Sequence, residues 1–97
     1  MGHVLTETEL TAKVANLPGW QVEGTNGDRV LSRTFVFKDF AEALQFVNRV
    51  AEAAEQAGHH PDINIRYNRV CLELVSHDEG GITLADINLA QTIGNLG

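Results

Sequence analysis

The sequence predicts an α+β fold: a two-layer sandwich with a four-stranded antiparallel sheet and three helices on one face, in the order α-β-β-α-β-β-α. Two pairs of short alternating segments, each joined through turn residues, read as hairpins, which make antiparallel neighbours. Segments of helical apolar period stand before, between and after those pairs. With 97 residues the chain can bury one core but not two, so a single domain over 1–97 is expected. The sheet face without helices is expected to be covered by a partner or to stay solvated.

Thr6 and Glu9 form a capping box, and Leu10, Val14 and Leu17 follow at helical spacing until Pro18-Gly19 ends the first helix. His3 precedes it in a segment expected to fray. Trp20 and Val22 alternate with polar residues, a turn stretch runs from Gly24 to Asp28, and Leu31, Phe35 and Phe37 then share a face, with Arg33 interrupting. These are the first two strands. Asp39 caps the second helix with Glu42 reaching back. Phe40, Ala43, Leu44, Val47, Val50, Ala51 and Ala54 give its apolar stripe. Gly58 suits a left-handed helix end, and Pro61 cannot continue the helix.

Ile63, Ile65 and Tyr67 alternate with polar residues, as do Val70, Leu72 and Leu74 with Cys71 and Glu73, which predicts a hairpin turning at Asn68-Arg69. Trp20 and Tyr67 are expected to pack at the sheet. After Gly80-Gly81, Thr83 caps the last helix with Asp86, Ile82 staples onto Ile87, and Ala90 and Ile93 face the core.

Seven Lys and Arg against thirteen Asp and Glu give a net charge of −6, which repels phosphate backbones and anionic lipid, so no nucleic acid and no membrane partner is expected. No apolar run has the roughly 18 to 20 residues of a membrane helix, and the start lacks a signal-peptide layout. One cysteine, Cys71, offers no internal disulfide, which fits a reducing cytoplasmic setting. A domain this small gains from self-association.

The candidate chemistry lies in the histidines. A turn at Asn68-Arg69 sets Tyr67 opposite Val70 and, extended along the ladder, His60 opposite His77, with His59 alongside. Neighbouring imidazoles are suited to proton transfer. Glu55, one turn before His59, is placed to orient an imidazole. Asp86 is accounted for first by capping, with a site role second.

Glu55, His59-His60-Pro61, Tyr67, His77-Asp78, Gly80-Gly81 and Asp86 together resemble the pattern of the pterin-4a-carbinolamine dehydratase family. The resemblance runs from the first helix through the stretch Arg33 to Ala43 and on to Asp86–Ala90. It implies the same fold, homodimers or homotetramers, no cofactor, and dehydration of 4a-hydroxytetrahydrobiopterin to the quinonoid dihydropterin, a step in tetrahydrobiopterin recycling. It further implies that His59, His60 and His77 are catalytic, and that Gly58, His59, His60, Val75, Ser76, His77 and Asp78 line the pterin site. His60 is expected to be the principal acid/base, with His59 and His77 sharing proton transfer and orientation. The chain departs from the family at Ile63, where many members have Trp, so an aromatic wall for the pterin is expected to be missing. Two other readings remain open at this point. One is a three-histidine metal site with an open position. The other is a non-catalytic dimerisation module, because the resemblance also implies relatives that pair with a transcription factor through a helical surface.

Overall fold

Helices begin where their caps stand. In the computed structural model, which describes residues 3–25 and 27–96, α1 is Glu7–Val14, α2 is Phe40–Ala57 and α3 is Leu84–Gly94. Asn26, within the turn stretch, lies outside the described residues. The Glu9 carboxylate accepts from Thr6 N at 2.9 Å, and Thr6 Oγ1 accepts from Glu9 N at 3.2 Å. The Thr6 backbone N–H, and then His3, whose Nε2 lies 3.0 Å from Glu9 Oε1, hold the Glu9 carboxyl below its ordinary value. This contact therefore supports the fold above the ordinary carboxylate range and is lost as pH falls through the lowered value. Helix α1 stops at Val14, short of the expected Leu17. The chain tightens there into i→i−3 bonds, from Asn16 N to Lys13 O at 3.1 Å and from Leu17 N to Val14 O at 2.9 Å, and Leu17, before Pro18, cannot continue the helix. Leu17 is buried all the same, in the turn that follows.

The strands β1 (Gln21–Glu23), β2 (Val30–Val36), β3 (Asp62–Arg66) and β4 (Arg69–Leu74) form one antiparallel sheet in the order β1-β2-β4-β3. Trp20 and Phe37 stand just outside the strands expected to contain them. Alternation puts Leu31, Phe35, Val70, Leu72 and Leu74 on the buried face, where they meet Ala43, Phe46, Val50, Ala90 and Ile93 of the helices. Phe46 centres this layer, with ring centroids 4.6 Å from Phe35 and 5.0 Å from Phe37. Arg33, which interrupts the pattern, lies over the Phe35 ring at 4.2 Å and donates to Pro18 O at 3.0 Å. The opposite face is polar, and Thr34, Asn64, Cys71 and Glu73 border a shallow concavity of about 540 Å³ there.

Three sequence expectations need correction. Helix α2 buries Ala43, Phe46, Val50 and Ala54, whereas Phe40, Leu44 and Ala51 of the expected stripe are exposed. The i, i+3, i+7 and i+11 line through Phe46 meets the sheet, and the other three flank it. The β3–β4 ladder pairs Ile65 with Val70 and Arg66 with Arg69, so the turn is Tyr67-Asn68 and the register differs from expectation by two residues. A slip of two keeps every side chain on its expected face. Asn68 fixes this turn: its Nδ2 donates to Phe37 O at 2.9 Å, and Phe37 N donates to Asn68 O at 2.8 Å. Tyr67 is consequently not a sheet-packing residue; it is 66% exposed and left-handed at φ 51°.

That conformation disfavours a side chain lacking a local hydrogen bond. Tyr67→Asn is expected to raise the unfolding free energy by about 0.5–1 kcal/mol, because Asn tolerates the left-handed region and little burial is lost. Urea unfolding checks this through a higher midpoint at unchanged slope.

Candidate active site

Two chain reversals build the site. Helix α2 ends at Gly58, left-handed at φ 65°, and His59 N donates back to Ala54 O at 3.1 Å. This exit carries His59 and His60 off the helix axis before Pro61 leads into β3. Beyond β4, Ser76 N donates to Gly81 O at 3.0 Å, enclosing a 3-10 turn, His77–Glu79, that closes at Gly80 with φ 85°. Both reversals face a cleft of about 410 Å³ lined by Gly58, His59, His60, Val75, Ser76, His77, Asp78, Glu79, Thr83 and Ala85. That volume is within the usual range for a small-molecule site.

The histidines meet here for a different reason from the one expected. His60 and His77 lie beyond the ends of the ladder, and the observed register does not pair them. The two chain reversals bring them to one cleft. Ile63, where many family members have Trp, pairs with Leu72 in the β3–β4 ladder and does not itself border this cleft.

Each of the adjacent histidines has its own carboxylate. His59 Nε2 lies 2.5 Å from Asp86 Oδ1, with 19% of the imidazole exposed and Asp86 wholly buried. His60 Nε2 lies 2.5 Å from Glu55 Oε2, and these side chains are 62% and 76% exposed. Glu55 thus serves His60, although it is four residues from His59. A carboxylate only accepts, so in both pairs the proton sits on Nε2 and Nδ1 is the other ring nitrogen.

Asp86 is both a cap and a histidine partner. Its second oxygen accepts from Thr83 N at 2.9 Å, which starts α3, and from Ser76 Oγ at 2.9 Å. Because the Ser76 hydroxyl hydrogen goes to Asp86, the Thr83 hydroxyl donates to Ser76 Oγ at 2.8 Å. Thr83 Oγ1 in turn accepts from Ala85 N at 3.2 Å. One buried network therefore joins the end of β4, the start of α3 and the exit of α2. Sequence reasoning missed Glu79, Thr83 and Ala85 as cleft residues, although each lies within two positions of a residue it had singled out.

Among the described residues, no three His, Cys, Asp or Glu side chains are arranged to hold a metal ion, so the three-histidine metal reading has no ligand set.

The family model described as Pterin 4 alpha carbinolamine dehydratase matches residues 3–96. The chain belongs to the pterin-4a-carbinolamine dehydratase family. A relative from Thermosynechococcus vestitus, provisionally named pterin-4-alpha-carbinolamine dehydratase, is 52% identical over 96 residues, covering 99% of this chain and 97% of its own. A solved structure from Brucella melitensis, described as a transcriptional coactivator/pterin dehydratase, superposes with TM-score 0.88 at 37% identity, covering 97% of this chain and 98% of that one. A pterin dehydratase-like protein described as a RuBisCO assembly factor in the alpha-carboxysome superposes with TM-score 0.67 at 25% identity, over 80% and 88% of the two chains. The sandwich of this pterin-4a-carbinolamine dehydratase family member is thus shared by proteins described as dehydratase, coactivator and assembly factor.

Proposed function

We propose that this chain dehydrates 4a-hydroxytetrahydropterins, including 4a-hydroxytetrahydrobiopterin, to the quinonoid dihydropterin and water, and so serves tetrahydrobiopterin recycling in a reducing cytoplasm. The observation that carries the proposal is a single cleft with three imidazoles, two of them backed by carboxylates. The reaction breaks the C4a–O bond, forms a C4a=N5 bond and releases the N5 proton. An acid must protonate the departing hydroxyl and a base must take the N–H proton, two tasks that suit neighbouring imidazoles. Neither task requires a change of oxidation state.

His60 is the principal acid/base in this scheme. Its imidazole is open to the cleft and to solvent, so it exchanges protons with both, and Glu55 orients it. His59 is held by Asp86 and orients the substrate, sharing proton transfer through Nδ1. His77 takes a similar supporting part from the opposite wall, while Gly58, Val75, Ser76 and Asp78 shape the pterin site. The test is the rate at which purified protein accelerates disappearance of freshly generated 4a-hydroxytetrahydrobiopterin, with metal content measured alongside. No acceleration by the folded protein would overturn the proposal.

A second reading, association through a helical face, is favoured by the exposed Phe40 and Leu44 on α2, 47% and 37% accessible. In this reading, apolar area on α2 joins copies into dimers or tetramers, or receives another protein. Phe40→Asp with Leu44→Asp is expected to lower the sedimenting mass of the assembly, with the dehydration rate per chain kept within about twofold. His60→Ala is expected to do the reverse. An unchanged mass in the double variant would remove α2 as the interface.

A further inference from the structure

We propose that Ser76 is a positioning residue for two of the three histidines: its backbone shapes the turn that presents His77, and its hydroxyl, acting through Asp86, holds His59. One buried serine thereby sets the spacing of two imidazoles that come from distant parts of the chain. The proposal rests on the dehydratase reading above and gives the Ser76 hydroxyl a part other than contact with the pterin.

The backbone half of this joint is closely bonded. Ser76 O accepts from Glu79 N and Gly80 N at 3.0 Å each and from Gly81 N at 3.3 Å, while Ser76 N donates to Gly81 O at 3.0 Å. Together these bonds close the reversal that begins with His77, the next residue. His77 therefore cannot shift far relative to Ser76 without breaking them.

The side-chain half reaches the other way. Ser76 is buried, and its Oγ donates to Asp86 Oδ2 at 2.9 Å and accepts from the Thr83 hydroxyl at 2.8 Å. A serine hydroxyl has one hydrogen, and Asp86 takes it, so none is left to donate to a substrate. Asp86 passes the constraint on. Its carboxylate is planar, so holding Oδ2 fixes the direction of Oδ1, which lies 2.5 Å from His59 Nε2. Thr83 N also donates to Oδ2, at 2.9 Å, but it belongs to the start of α3. Of the groups bonded to that oxygen, Ser76 is the one that belongs to the His77 reversal. His60 stands apart from this arrangement, because its partner is the exposed Glu55.

The experiment compares Ser76→Ala and Ser76→Thr with the wild type. It measures kcat and KM for 4a-hydroxytetrahydrobiopterin per folded molecule, and the nitrogen NMR signals of the imidazoles. Alanine keeps every backbone bond of the reversal and removes only the hydroxyl; threonine restores it. Ser76→Ala is expected to lower kcat by about 10- to 100-fold with KM within about threefold, since a displaced group costs rate while substrate contacts are kept. Ser76→Thr is expected to return kcat to within about fivefold of wild type. The His59 ring signals are expected to move in Ser76→Ala while those of His60 stay. A serine that serves stability alone would lower Tm and leave kcat per folded molecule and the His59 signals at wild-type values, and that result overturns the proposal. A raised KM at constant kcat overturns it as well, because the hydroxyl would then be a substrate contact. A folded wild type without turnover overturns the dehydratase reading instead, and the His59 signals in Ser76→Ala then decide by themselves whether the serine holds that imidazole.

Discussion

His60→Ala is expected to lower kcat/KM for dehydration by about 10²–10⁴-fold, the usual contribution of a positioned acid/base group, while changing the unfolding free energy by no more than about 0.5 kcal/mol. Both members of the His60–Glu55 pair are mostly exposed, so water replaces the lost contact and no buried group is stranded. His59→Ala should behave differently. It leaves Asp86 Oδ1 without its partner beneath the surface, at a cost of about 1–3 kcal/mol, and its effect on rate should be smaller than that of His60→Ala. Stopped-flow decay of the 4a-hydroxypterin together with urea unfolding of both variants separates the two residues. If His60→Ala stays within tenfold of wild type, the principal proton role belongs to His59 or His77. If instead His59→Ala is the slower of the two enzymes and unfolds at the wild-type midpoint, both assignments fail.

The parts of the fold legible in the sequence are those governed by near neighbours. Thr6 with Glu9, and Thr83 with Asp86, announce helix starts because the partners lie three residues apart. Val70, Leu72 and Leu74 announce a buried face because alternation is a local property of a strand. Gly58 and Pro61 mark the end of α2 for the same kind of reason. What could not be read depends on distant contacts. The hairpin register follows from Asn68 bonding to Phe37, 31 residues away, which places Tyr67 in the turn. Phe46 fell outside the expected stripe because the packing of α2 on the sheet, not the helical period alone, decides which line through its apolar residues is buried.

The site divides in the same way. The three histidines and the residues beside them were legible as a group, from the motif and its resemblance to a family. The carboxylate partner of each imidazole was not, because it depends on contacts beyond near neighbours: Glu55 is five residues from His60 and Asp86 twenty-seven from His59. The expectation that His60 and His77 share a neighbourhood rested on a ladder the structure does not form, yet the reversals at Gly58 and Ser76–Gly81 bring both to one cleft.

Asp86→Asn is the second large effect expected, and it acts on stability and rate together. The wild-type carboxylate accepts from His59 Nε2, Ser76 Oγ and Thr83 N with no solvent exposure. An asparagine offers one acceptor oxygen; with it facing Ser76 and Thr83, the N–H₂ group meets His59 Nε2, which then pairs only in the opposite tautomer, and with the amide flipped the Ser76 and Thr83 donors are left facing N–H₂. The expected loss is about 2–3 kcal/mol of unfolding free energy, which for a domain of this size lowers Tm by roughly 10–20 °C. The His59 imidazole also loses the acceptor that fixes its orientation, and small displacements of a positioning group cost up to about 10²-fold in rate. Because both changes remove the same contact, Asp86→Asn combined with His59→Ala should be less harmful than the sum of the single variants, by about 0.5–3 kcal/mol. A capping role alone predicts a different pattern. The single variant would lose stability while its folded fraction kept full turnover, and the double-variant cycle would be additive. Measuring turnover per folded molecule well below the melting transition therefore decides whether Asp86 joins the buried network to the chemistry or only starts α3.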